Sequence, residues 1–165
     1  MRGVYLVSVW LHILAAAVWI GGMGFLVVVL VPVLRRPEHR AAAPALICGT
    51  GVRFRWVGWI SLGVLLASGT FNLAFRGIGW ADVTTGRFWQ GPLGIKILLV
   101  AVILLLSALH DFVVGPRAAA LGQANPGAPE AVRLHRQAAW LGRFNLLLAL
   151  VVVALGVMLV RGGPW

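Results

Sequence analysis

His12 sits inside an apolar run from Val4 to Val33, and Lys96, the single lysine of the chain, opens another. An ionisable side chain in hydrocarbon costs roughly 3 kcal/mol or more unless it has a partner or a task. Imidazole is the commonest side-chain metal ligand and the usual axial ligand of haem. His12 is therefore the first candidate for binding a metal ion or a haem, against the plainer reading of a hydrogen bond between helices. Met23 lies on the same stripe, about 16 Å further along at a rise of about 1.5 Å per residue. It cannot share a coordination shell with His12, but its thioether suits Cu(I); the plainer reading is packing. Lys96 could pair with a substrate carboxylate or a haem propionate, or snorkel to headgroups. His110 and Asp111 are adjacent, and His135 or His39 could complete a metal or proton site with them. Alternatively, His110 favours the negative end of a helix dipole, and Asp111 pairs with Arg117.

The elements that carry these residues are membrane helices. Of the residues, 61% are hydrophobic and 11% charged, and the mean hydropathy is +0.95. Soluble domains carry about twice that charge. Spanning a bilayer takes about 20 apolar residues, and four runs qualify, at about 4–33, 56–75, 95–114 and 141–160. The expected fold is all-α, an integral membrane four-helix bundle forming one domain over 1–165. The first run is about twice the length of a signal-peptide core, so it reads as a helix. Arg35, Arg36 and Pro37 should stop the first helix, Gly91-Pro92 should start the third and Gly115-Pro116 should end it. Short helical lead-ins should precede the second and fourth. Gly122–Pro129 reads as a flexible loop, Trp80 and Trp89 as headgroup anchors, and Gly162, Gly163 and Pro164 as the close of the chain.

Net charge is +10, but the arginines are scattered and no recognition motif accompanies them, so nucleic acid is not an expected partner. Loop arginines report topology instead. Connections one and three hold nine (Arg35, Arg36, Arg40, Arg53, Arg55, Arg117, Arg133, Arg136, Arg143), and the other side holds four (Arg2, Arg76, Arg87, Arg161). That asymmetry predicts both termini outside, in the periplasm of a bacterial inner membrane. His12, Lys96, Ser68, Thr70 and Asn72 then share the outer level, and His39, His110, Asp111 and His135 the inner one. Helical phase gives three polar stripes that should face protein: Ser8, His12, Trp19 and Met23; Ser61, Ser68 and Asn72; Lys96, Ile103, Ser107 and His110. His12 is expected to face the second and third helices. Cys48 alone permits no internal disulfide or CxxC pair. No Ser/His/Asp arrangement, P-loop, dinucleotide fingerprint or HExxH occurs, which argues against hydrolase and nucleotide chemistry.

The stretches LHILAAAVWIGGMGFLVVVLVPVLRR, RFRWVGWISLGVLLASGTFNL and GPLGIKILLVAVILLLSALHDFVVGPRAA resemble the CopD family of bacterial copper-resistance membrane proteins. The resemblance covers about Leu11 to Ala119. It implies copper handling across or into the membrane, with His12 and Met23 receiving the ion and His110 and Asp111 forming an inner exit. A looser similarity, carried by His12 and Lys96, links the chain to the HemJ-type protoporphyrinogen oxidases. It implies a b-type haem protein for electron transfer or porphyrin oxidation, an oxidoreductase, with His12 as axial ligand and Lys96 or an arginine on a propionate. Asn72, at the same level of the second helix, is a further cofactor-binding candidate from its position alone. A third reading is a non-catalytic assembly subunit whose polar stripes join helices. Membrane lipid is a partner in every case, and a homo-oligomer and an electron-transfer partner are compatible with the sequence.

Overall fold

The computed structural model describes residues 2–125 and 127–161, apart from the side chains of Trp80 and Arg87; Gly162, Gly163 and Pro164 lie outside the described residues. Four helices of 33 residues dominate: α1 (Arg2–Leu34), α2 (Ala43–Phe75), α3 (Pro92–Ala124) and α4 (Pro129–Arg161). No strand occurs among the described residues, and all four helices are long and apolar enough to cross a membrane. At 33 residues each is about 50 Å long, well beyond a hydrocarbon core of about 30 Å. The expected lead-ins are therefore continuous with the second and fourth helices, and the apolar runs are only their membrane-level parts.

The chain forms two compact units, one up to Thr85 and one from Gly86. Each is an antiparallel helical hairpin, α1 with α2 and α3 with α4. In the first connection Arg36 is extended and Pro37–His39 makes a single 3-10 turn, as the arginine-proline stop predicts. α2 ends in a Schellman cap: Gly77 has φ +77°, its N–H donates to the Ala74 carbonyl, and the Ile78 N–H donates to Leu73. The turn-rich second connection contains two short helices, Trp80–Val83 and Gly86–Gln90.

One expectation fails. Gly115-Pro116 does not end α3, which continues to Ala124. Proline lacks an N–H, and its ring clashes with the carbonyl four residues back. A wide π turn over Leu109–Val114 absorbs the misfit, with the Gly115 N–H donating to His110 O five residues back. α1 uses the same device before Pro32. Its π turn spans Leu26–Leu30, and the Val31 N–H donates to Leu26 O. The loop expected over Gly122–Pro129 shortens accordingly, since helix runs through Ala124 and resumes at Pro129.

The two hairpins repeat one another. Pairing Pro32 with Pro116 in register carries Trp19 onto Ile103, Met23 onto Ser107 and Leu34 onto Ala118, and all six are buried. Pairing Gly69 with Gly156 carries Gly58 onto Asn145 and Leu62 onto Ala149, again all buried. The same registers place Lys96 where the first hairpin has His12.

Gly94 is where the short helix Gly86–Gln90 closes on α3. A Cβ there would lie 2.6 Å from Trp89 Cα and would also meet the Phe88 carbonyl, and neither backbone atom can rotate away. Gly94→Ala should therefore cost about 1–3 kcal/mol of stability, read as a lowered thermal midpoint by circular dichroism in detergent. Gly63→Ala, where nothing lies within 4 Å, should leave the midpoint unchanged or raised.

Candidate functional site

The first hairpin builds its polar site from one stripe on each helix. Ser8, Ala15, Trp19 and Met23 are the buried residues of α1 before its π turn. Gly58, Ser61, Leu62 and Ser68 are those of α2. The first stripe thus faces α2, as helical phase predicts. Gly58 leaves room for the Trp19 indole, whose Cδ1 would lie 3.5 Å from an added Cβ. Gly69 does the same for His12, whose Cε1 would lie at 3.4 Å.

His12 is partly buried, and its Nδ1 lies 2.8 Å from Ser68 Oγ. Ser68 spends its single hydroxyl proton on Val64 O, at 2.6 Å. Its oxygen must then accept from His12 Nδ1–H. With Nδ1–H donating to Ser68, Nε2 is the nitrogen that a neutral ring would offer to a metal, as in histidines that bind a metal through one nitrogen and are held by the other. Ser8 Oγ donates to Ser68 O at 3.4 Å and adds a second tie between the helices. Asn72 follows Ser68 by one turn, and its Oδ1 is buried without a hydrogen-bond partner among the described residues. Thr70 does not join this level; it is exposed, and its hydroxyl returns to Leu66 O and Ala67 O of its own helix. At the end of the pair near the N-terminus the Tyr5 ring stacks on Phe75 with centroids 4.4 Å apart, and Arg76 Nη2 donates to Tyr5 OH at 3.4 Å.

In the second hairpin Lys96 is partly buried, and its Nζ would lie 3.3 Å from a Cβ at Gly156. A glycine on the second helix thus seats the ionisable residue of the first in both hairpins. Further along α3, Ser107 Oγ accepts from Asn145 Nδ2 at 2.9 Å, and both residues are buried. Asn145 belongs to none of the three polar stripes expected from helical phase, although an amide inside an apolar run meets the criterion that singles out His12.

His110 and Asp111 lie in the π turn of α3, where His110 Nδ1 is 2.8 Å from Asp111 Oδ1. His135 packs on Gly122, its Cε1 3.5 Å from where a Cβ would stand. His39 is in the exposed 3-10 turn. Among the described residues no three His, Cys, Asp or Glu side chains are close enough to share a metal ion. His110 and Asp111 are therefore brought together, but not with His135 or His39 as a three-ligand group. Met23 is buried in the α1 stripe, at the distance along the helix that its spacing from His12 implies.

Comparison with known proteins bears on this arrangement. The chain is 32% identical over 155 residues to an uncharacterised protein of Aquifex aeolicus (strain VF5), covering 92% of each chain. No solved structure matches. The family model described as copper resistance protein D matches residues 49–159, a segment that holds most of α2 and nearly all of α3 and α4. Lys96, His110, Asp111 and His135 fall within that segment, while His12 and Met23 precede it. With more than half of its length matched, this multi-pass membrane chain belongs to the CopD family.

Proposed function

We propose that the protein moves copper across or into the bacterial inner membrane, with His12 Nε2 as the receiving donor. The observation that carries this reading is the relay from His12 through Ser68 to Val64. It engages Nδ1 inside an apolar helix pair, so Nε2 is the atom that the ring would offer to an ion. Membership of a copper-resistance family supports the choice of ion. A single imidazole holds copper loosely, which suits cargo that must leave again. Met23, buried on the same stripe, offers a soft thioether deeper in the membrane. His110, oriented by the Asp111 carboxylate, presents a second imidazole toward the inner side and with Asp111 forms the exit.

The same donor supports a second reading. A lone imidazole, with no group of three His, Cys, Asp or Glu side chains among the described residues to share an ion, is also the donor pattern of an axial haem ligand. His12 would then hold haem b, which when bound supplies one-electron redox chemistry. The Asn72 amide would offer a hydrogen bond, and Lys96 the positive charge for a propionate.

His12→Ala should abolish copper binding by the purified, colourless protein, measured by competition with a Cu(I) chelator, while the variant still inserts. Ser68→Ala frees the ring to change tautomer and should weaken binding about 10- to 100-fold. A Soret band in the wild type that His12→Ala removes would select haem. Unchanged copper binding in His12→Ala would leave the stripe as a packing device.

We also infer that both termini face the periplasm, from the arginine asymmetry between connections. A cysteine at position 3 or 163, in a chain with Cys48 replaced by serine, should react with an impermeant maleimide in intact cells. Labelling only after permeabilisation would reverse the inner and outer assignments.

A further inference from the structure

The second hairpin has a groove of about 610 Å³ between the π turn of α3 and the N-terminal half of α4. Leu109, Val114 and Phe144 line its apolar part, and Arg133 and Arg136 line its mouth, with Trp140 between the two levels. The apolar run of α4 begins at Leu141 and that of α3 ends at Val114. The two arginines therefore stand just beyond the hydrocarbon and the aliphatic wall just within it. Neither guanidinium takes part in an ion pair among the described residues, and both side chains are exposed. The Arg143 guanidinium lies 5.5 Å from the centre of the Trp140 ring and adds a third positive charge at the interfacial level.

The first hairpin supplies an internal control. Its equivalent groove is lined by Phe25, Leu46, Gly49 and Arg53, among others. The register that pairs Gly69 with Gly156 sets Leu46 against Arg133, Gly49 against Arg136 and Arg53 against Trp140. Both hairpins thus make a groove beside the π turn, and only the second has a paired basic mouth. The architecture requires the groove but not the arginines.

We propose that this groove holds an anionic phospholipid, its phosphate between Arg133 and Arg136 and an acyl chain along Leu109 and Phe144. Two arginines one turn apart on α4 present several donors to phosphate oxygens. A basic pocket between membrane helices at headgroup depth is the usual setting for acidic-lipid recognition. The long lead-in of α4 holds the arginines at that depth, which a helix starting at Leu141 would not.

The test uses the full chain in nanodiscs of mixed phosphatidylglycerol and phosphatidylcholine, released into native mass spectrometry to count retained lipids. Phosphatidylglycerol should be retained several-fold over phosphatidylcholine, and the double variant Arg133→Gln/Arg136→Gln should lose that preference. Arg161→Gln, at the other end of α4, should keep it. Equal retention of the two lipids in the wild type would overturn the proposal, as would a preference that survives the double substitution. Displacement of phosphatidylglycerol by millimolar inorganic phosphate would show a site for a free anion, and would also overturn it. Since both arginines are exposed, unchanged circular dichroism is expected; a variant that fails to fold is replaced by Arg133→Lys/Arg136→Lys, which keeps charge and should retain most of the preference.

Discussion

Hydrocarbon offers no hydrogen bonds, so every polar group placed in it must be satisfied by the protein. The backbone of this chain meets that demand with four long helices. Most side chains meet it in two ways, with Asn72 Oδ1 and Asn145 Oδ1 as exceptions among the described residues. Ser61 and Thr70 donate to carbonyls one turn back on their own helix and need no neighbour. Ser8, His12, Ser68, Ser107 and Asn145 reach the partner helix of their hairpin. Interhelical bonds of this kind are worth about 0.6 kcal/mol on average. Their larger effect is on registry, because a slip of one residue would strand a polar group in lipid.

The same demand shapes the His12 site. Its Nδ1 meets Ser68, and Ser68 is itself committed to Val64. A histidine placed between helices could bond through either nitrogen, and the relay selects Nδ1. Gly69 lies against the imidazole, and a Cβ there would be in van der Waals contact with the ring.

The two hairpins show one scaffold carrying different chemistry at equivalent places. Both place a π turn before a proline, and both seat an ionisable residue of the first helix against a glycine of the second. Histidine stands at that position in one and lysine in the other. At the groove beside the π turn leucine and glycine stand in one and two arginines in the other. The bulged helix absorbs the proline where the groove lies. The recurring features therefore follow from the backbone, and the differences lie in the side chains set on it.

The number of spans, the all-α class and the polar stripes were legible in the chain, because hydropathy and helical phase are local properties. The stop at Pro37, the start at Pro92 and the burial of Ser8, Trp19, Met23, Ser61 and Ser68 followed from that pattern. The stop at Gly115-Pro116 did not hold, because a π turn can absorb a proline at the cost of one residue of register, and local rules do not register that option. The lead-ins were visible too, and their continuity with the second and fourth helices was expected from the same local pattern. The hydrogen-bond relay and the equivalence of His12 with Lys96 could be seen only in the fold. Which atom of Ser68 faces His12, and which glycine lies beneath each ionisable residue, depends on how two helices far apart in sequence slide and rotate against each other, and no periodicity within either helix encodes that.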